Sequence, residues 1–445
     1  MYKNSVYNIL INKKGNTYLI FNSSSGSLCE LEKEEYDALF NLESISPDSI
    51  DCFDQLLAQD LIVPKELDEV AKVLWLETAG LYNTNPVEVK YALAPTLDCN
   101  LHCRYCFEHD DVKVPMREMN IDKILEYIKN QAEQNEGLKR ISISWFGGEP
   151  LLRFDDIVEF SQKIIEFCNG RNIEYSAYMI TNGLLFTQNV IDILKKDCNL
   201  SGVQITVDGT EYFYCNYKGT TIDKYEKVLE NIELCSNNFE TTVRLNCSKE
   251  NVKDLKTVVD ILYGEKNLKE NVGIYIAPIQ DYHNSLSGVL TPFNDGEFYD
   301  VKIKFYEYLE EKYSVDMKKM IVGIKPISTS CGLIKRENLA IDPDGFFYAC
   351  EHEIGDYTKV IGSCDEGIYY NKRMQEFKGS SHPEKCYKCK LFPVCLSGCK
   401  SERTTLGESS INCKEKLRAV RYLLCDIYTK DSIYMGENNN NSEEK

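Results

Sequence analysis

From residue 89 onward the chain switches regularly between two hydrophobic periods. Apolar residues recur at alternate positions or in short runs at 89–95, 141–145, 176–180, 203–207, 241–246 and 272–277, which predicts strands. A period of three to four residues at 121–134, 155–167, 189–196, 225–237 and 255–263 predicts helices between them. Six such strands with helices between them predict an α/β fold over 86–280, a parallel sheet curled into a partial (β/α)6 barrel. Barrels of this kind gather their chemistry where the strands end. Cys99, Glu149, Asn182, Asp208 and Asn246 all fall at those ends.

Residues 1–85 read as a separate folded unit. Short strands are predicted at 7–11, 17–21 and 28–31, with a turn at Asn22-Ser-Ser-Ser-Gly26, followed by helices at 34–42 and 50–59, an apolar stretch at 61–63 before Pro64, and another helix. Residues 281–330 read as a bridge with helical character at 301–313. Residues 429–445 are polar, lack apolar periodicity and read as a disordered tail.

Composition narrows the class. A length of 445 residues allows two or three domains, and 43% hydrophobic residues is globular. There is no run of about 18 apolar residues to span a membrane and no signal peptide after Met1, so a cytoplasmic location is expected. A net charge of −19 argues against a nucleic-acid partner. The 19 cysteines are an odd count with metal-ligand spacings and no export signal, which favours reduced thiols and metal centres over disulfides.

Three of them, Cys99, Cys103 and Cys106, form a Cys-x3-Cys-x2-Cys triplet just after the first barrel strand. Three thiolates can hold three irons of a cubane cluster and leave the fourth iron open. The next strand runs into Gly147-Gly148-Glu149-Pro150, where glycines permit close approach of backbone to a ligand and a carboxylate can accept from an ammonium group. With these two motifs the chain resembles the radical S-adenosylmethionine (SAM) enzymes. The resemblance implies a [4Fe–4S] cluster on the triplet, SAM at its free iron, the Gly-Gly-Glu-Pro segment at the methionine amino group, and Tyr105 near the adenine. Thr181-Asn182-Gly183 and Asp208-Gly209 alone read as turns. By the resemblance they join the cofactor site with Thr206, Arg244 and Asn246, Thr206 at the SAM carboxylate. Many relatives carry His-Arg shortly after Asp-Gly; Tyr212-Phe-Tyr-Cys-Asn216 stands there, so the second carboxylate ligand is left unassigned.

Seven later cysteines follow a longer pattern: Cys331, then Gly345 and Cys350, then Cys386-x2-Cys389-x5-Cys395-x3-Cys399, then Cys413. A zinc ribbon would account for four of them and leave three unexplained. The full order resembles the SPASM extension of radical SAM enzymes, which would occupy 331–428 and carry two auxiliary [4Fe–4S] clusters, three in all. The resemblance assigns Cys331, Cys350 and Cys399 to the first auxiliary cluster and Cys386, Cys389, Cys395 and Cys413 to the second. The remaining position on the first is open to Cys364, Cys425 or a substrate thiolate. Cys29, Cys52, Cys168, Cys198, Cys215, Cys235 and Cys247 read as buried or incidental.

Residues 1–85 resemble the winged-helix-like element that binds leader peptides in enzymes modifying ribosomally made peptides. The resemblance as a whole implies thioether formation on a cysteine-rich precursor peptide, with a flavodoxin or ferredoxin as electron donor. Formylglycine formation, as in anaerobic sulfatase maturation, is the second reading, with Glu351 after Cys350 as its candidate base, and carbon–carbon cross-linking is the third. A substrate-free electron carrier would leave Gly147-Gly-Glu-Pro150 without a purpose.

Overall fold

Alternation of apolar and polar residues builds the centre of the protein. In the computed structural model, which describes residues 1–42, 52–106, 118–280, 290–293, 295–316, 324–407, 413, 417, 420–422, 424 and 425, the chain starts with β1 (Tyr2–Asn4), β2 (Asn8–Lys14), β3 (Thr17–Asn22), β4 (Leu28–Glu32) and β5 (Ile62–Pro64). The barrel strands follow as β6 (Glu88–Leu93), β7 (Arg140–Trp145), β8 (Glu174–Thr181), β9 (Leu200–Thr206), β10 (Glu240–Cys247) and β11 (Val272–Pro278), and all five neighbouring pairs are parallel.

Every second residue of β7 and β8 is fully buried against helices, while those between are only half-buried. A parallel sheet covered on both faces would read as continuous apolar residues. Here the inner face carries Ser142, Ser144, Tyr178, Gln204, Thr206, Arg244 and Asn246, and the last four line a cavity rather than a packed core. The outer face packs on the helices Ile121–Glu133, Phe154–Asn169, Gln188–Asp197 and Ile222–Ser236. Asn120 and Thr187 cap two of them through side-chain oxygens. Each fully buried Ile or Phe on these helices, such as Ile128 and Phe160, contributes about 1.5–3 kcal/mol.

The sheet does not stop at β6. A second group of strands, β12 (Leu339–Ile341), β13 (Phe346–Tyr348), β14 (Gly362–Ser363) and β15 (Gly367–Ile368), extends it to ten strands, with β12 parallel to β6 and the rest antiparallel. Ala94 N–H donates to the Ile341 carbonyl at 2.9 Å just past the paired residues. The sheet thus crosses the expected boundary between barrel and C-terminal unit.

The turn from β12 to β13 is held by Asp342, fully buried, which accepts from Phe346 N–H at 2.9 Å and Tyr348 OH at 3.0 Å. Burial pushes this carboxyl up to about 6. An acid raised in the folded state binds its proton more tightly there than in the unfolded chain, so stability falls as pH rises from about 4 to 6. Asp342→Asn stays neutral and escapes that loss. It is expected to be more stable than the parent by up to about 3 kcal/mol at pH 7.5, with the gap closing near pH 4, as read by urea unfolding at the two pH values.

The N-terminal unit is a three-stranded antiparallel sheet in the order β2-β3-β4, beside a separate β1–β5 pair that the periodicity did not predict. The helices Lys33–Ala38, Phe53–Ala58 and Glu69–Leu81 complete it. The start of the helix expected at 50–59, and the tail expected at 429–445, lie outside the described residues. The bridge contributes the helix Asp295–Tyr313. Among the described residues no helix is long and apolar enough to cross a membrane.

The candidate active site

The loop after β6 carries the cysteine triplet, and its shape is set by backbone contacts on both sides. His102 N–H donates to the Lys218 carbonyl at 3.1 Å and Arg104 N–H to the Tyr217 carbonyl at 2.8 Å. On the other side Gly148 N–H donates to the Thr96 carbonyl at 3.1 Å and Glu149 N–H to the Asp98 carbonyl at 2.8 Å. A Cβ on Gly148 would stand 2.1 Å from the Asp98 oxygen, and one on Gly147, at φ +104°, 2.5 Å from the Thr96 oxygen. The two glycines therefore make room first for the cysteine loop, and their backbone still reaches the cavity wall.

Glu149 differs from its expected place at an ammonium group. Its side chain is fully buried and does not line the cavity. Both oxygens are taken inside the protein, by Thr181 Oγ1 at 2.8 and 2.9 Å, Asn182 N–H at 2.8 Å and Leu151 N–H at 3.1 Å. Burial raises this carboxyl and those hydrogen bonds oppose the rise. In this arrangement Glu149 holds the end of β8 and so positions Asn182, whose Nδ2 donates to Asn100 Oδ1 at 2.7 Å and lies 3.8 Å from Cys99 Sγ. Pro150, itself buried, opens a helical turn behind it.

One cavity at the C-terminal ends of the barrel strands brings the remaining expected residues together, apart from Asp208. Cys99, Cys103, Tyr105 and Cys106 form one wall with Gly147, Gly148 and Asn182; Thr206, Arg244 and Asn246 form the next; and Glu351 closes the side toward the C-terminal unit with His352. Arg244 Nε donates to Asn246 Oδ1 at 2.8 Å. Burial pushes the Glu351 carboxyl up, and Arg244 pulls it down.

Asp208 stands behind this wall, fully buried. Tyr105 OH donates to its Oδ2 at 2.5 Å and Lys218 Nζ lies 3.1 Å away. Lys218 also donates to Tyr105 OH at 2.8 Å and lines the cavity. Sequence reading missed Lys218. It ends the helix Glu211–Lys218, which was not predicted either, and puts a cation on the cavity wall. The available signal was a basic residue before Gly219, a residue suited to end a helix in the left-handed region, where it sits at φ +61°.

The donor set fits an iron–sulfur cluster. Burial pushes the Cys99 thiol up to about 11 and raises Cys103, so without a bound cation these thiols hold their protons at neutral pH. An iron centre supplies the positive charge that a buried thiolate needs. Lys218, Arg244 and the cavity's polar rim suit an amino-acid-bearing cofactor beside it.

The later cysteines fall into two groups. The Cys350 thiol is pushed up to about 12 by burial, and Cys399 and Cys331 stand close enough to raise it further. Cys386 and Cys389, also raised by burial, both feel Cys413 and Cys395. Cys364 sits elsewhere, 3.1 Å from where a Cβ on Gly345 would be, and Cys425 accepts from Asn12 Nδ2 at 3.2 Å in the N-terminal unit. Among the described residues no three His, Cys, Asp or Glu side chains converge tightly enough for a single metal ion.

Comparison with known proteins bears on the fold. Residues 93–262 match the Radical SAM superfamily, so the barrel is a radical SAM domain. A cysteine-type anaerobic sulfatase-maturating enzyme of Clostridium novyi is 26% identical over 339 residues, 69% of this chain and 86% of that protein. The radical SAM cyclopropyl synthase TigE of Paramaledivibacter caminithermalis is 21% identical over 443 residues, 89% of each. Among solved structures, anSMEcpe with bound AdoMet superposes with a TM-score of 0.57 at 21% identity, covering 80% of this chain and 96% of that one. SuiB of Streptococcus suis bound to precursor peptide SuiA gives 0.51 at 14% identity, covering 91% and 97%. These likenesses establish the radical SAM α/β fold.

Proposed function

We propose that this protein is a radical SAM enzyme that modifies a ribosomally made, cysteine-rich peptide and joins a cysteine sulfur to a carbon in a thioether. When bound, a [4Fe–4S] cluster with SAM at its free iron supplies a carbon-centred radical that takes a hydrogen atom from the substrate. Cys99, Cys103 and Cys106 would hold that cluster; Asn182, Thr206, Arg244 and Asn246 would orient the cofactor, and Lys218 offers its carboxylate a cation. Cys386, Cys389, Cys395 and Cys413 would hold one auxiliary cluster, and Cys331, Cys350 and Cys399 another.

One observation carries the choice of thioether. The first auxiliary set has three chain cysteines, Cys364 and Cys425 lie away from it, and the residues directly after Cys350 line the same cavity as the triplet. That leaves a fourth position for a substrate thiol within reach of the radical. The N-terminal unit supports a peptide substrate. The β2 side of its sheet is engaged by the C-terminal unit, with Lys390 Nζ donating to the Asn8 carbonyl at 2.6 Å, while β4 forms the opposite edge, where a leader could add as a strand. Peptide-bound SuiB and anSMEcpe structures have the same fold.

Formylglycine formation is the second reading, favoured by the sulfatase-maturating relatives and by Glu351 on the cavity wall as a base. The test is anaerobic reconstitution with SAM, reductant and a cysteine-rich precursor peptide. Thioether formation predicts 5′-deoxyadenosine together with a peptide lighter by two hydrogens and short of one alkylatable thiol. An aldehyde in place of a cysteine would support the second reading, and no deoxyadenosine under any condition would end both.

A further inference from the structure

The segment that delivers Cys331 has little regular structure to hold it. Cys331 is solvent-exposed and extended, followed only by the short 3-10 turn Gly332–Ile334. The loop is nonetheless tied at four carbonyls. Asn338 Nδ2 donates to the Gly332 carbonyl at 2.8 Å, and its Oδ1 accepts from Lys90 N–H on β6 at 2.9 Å. The other three carbonyls, of Leu333, Lys335 and Asn338, meet a single atom, Lys378 Nζ, at 2.8, 2.6 and 2.5 Å.

Lys378 ends the helix Lys372–Lys378 and is 1% exposed, an unusual place for an ammonium group. Burial pushes its proton affinity down, and the neighbouring Glu337 and Cys331 push it back. The geometry decides its state. Three carbonyl oxygens around one nitrogen need three N–H donors, and only the charged ammonium has three. Cys331 stands two residues before Leu333, whose carbonyl is 2.8 Å from Lys378 Nζ, so the cation lies beside the segment that carries that cysteine.

We propose that Lys378 is a positioning residue of the first auxiliary site: its ammonium folds the loop after Cys331 around itself and sets a positive charge beside that cluster ligand. The inference rests on the auxiliary-cluster reading above. A fixed positive charge stabilises the reduced form of a cluster, which carries one more electron, and so raises its potential. A purely structural lysine would leave the potential where it is.

The experiment uses the full chain with Cys99, Cys103 and Cys106 replaced by alanine, so that only the later cysteines load iron. After anaerobic reconstitution, iron and sulfide are counted and a redox titration is followed by electron paramagnetic resonance, with and without Lys378→Met. The parent is expected to hold roughly eight irons per chain. In the variant one of the two signals should move to a more negative potential, or disappear with about half the iron, while the other stays in place. If Lys378→Met does not fold, Lys378→Gln removes the charge while keeping two donors, and is read the same way. A folded variant with full iron and both potentials unmoved overturns the role of Lys378. A parent that loads no iron fails at the earlier step and overturns the auxiliary-cluster reading itself.

Discussion

Replacing Cys103 by alanine is expected to reduce 5′-deoxyadenosine formation to the detection limit while the protein still folds and keeps its later iron. The loss follows from chemistry: two thiolates cannot hold a cubane with a single free iron. The retained fold follows from how the loop is built. Its shape depends on backbone hydrogen bonds from His102 and Arg104 to the end of the helix Glu211–Lys218, and on the contact of Gly148 with Asp98. None of these uses the Cys103 sulfur. Circular dichroism should match the parent, and iron should fall by about one-third. Deoxyadenosine at the parent's rate in Cys103→Ala would show that the triplet is not where SAM is cleaved.

The largest expected effect on stability lies between the N-terminal unit and the C-terminal cysteines. Glu77, on the helix Glu69–Leu81, and His382 pair at 2.7 Å with both side chains fully buried. Ser380 Oγ donates to the same Glu77 oxygen at 2.6 Å, and the other imidazole nitrogen lies 2.9 Å from Ser397 Oγ. The His382 ring packs edge-on to Phe392, 4.9 Å between centroids. Removing one partner strands a charge without solvent, so His382→Ala is expected to cost about 3–5 kcal/mol in urea unfolding, far beyond an exposed substitution. Burial alone would raise the Glu77 carboxyl, but the hydrogen bonds from His382 and Ser380 and the nearby charges bring it below the ordinary range. A lowered acid stabilises the fold above its unfolded pKa and loses that contribution as pH falls toward the folded value. Glu77→Gln should therefore differ from the parent most at neutral pH and least in strong acid.

The barrel was legible because its strands alternate and its helices do not, and because polar residues cluster where strands end. What escaped was set by contacts across the chain. Glu211–Lys218 holds four aromatic residues in a short span and shows no clear period, so Lys218 went unnoticed until the fold set it beside Asp208. Gly147 and Gly148 announced close approach, but a sequence does not say to what; here the nearest neighbour is the backbone at 96–98. Strands β12 to β15, of two or three residues each, are too short to carry a period. Chain order likewise left Cys364 and Cys425 as open choices, and only the fold separates them from Cys331, Cys350 and Cys399.

The ladder from β6 to β12 also fixes a length. A hydrogen-bonded sheet resists stretching across its strands, so the same bonds that close one side of the barrel hold the triplet and the Cys350 segment at a set spacing. Electron tunnelling falls off exponentially with distance, and a rigid gap removes distance as a variable. Traffic between two redox groups mounted on this frame would be governed by their potentials and reorganisation energies, and the arrival of substrate could alter it by changing charge, ligation or solvent exposure, not by drawing the halves together.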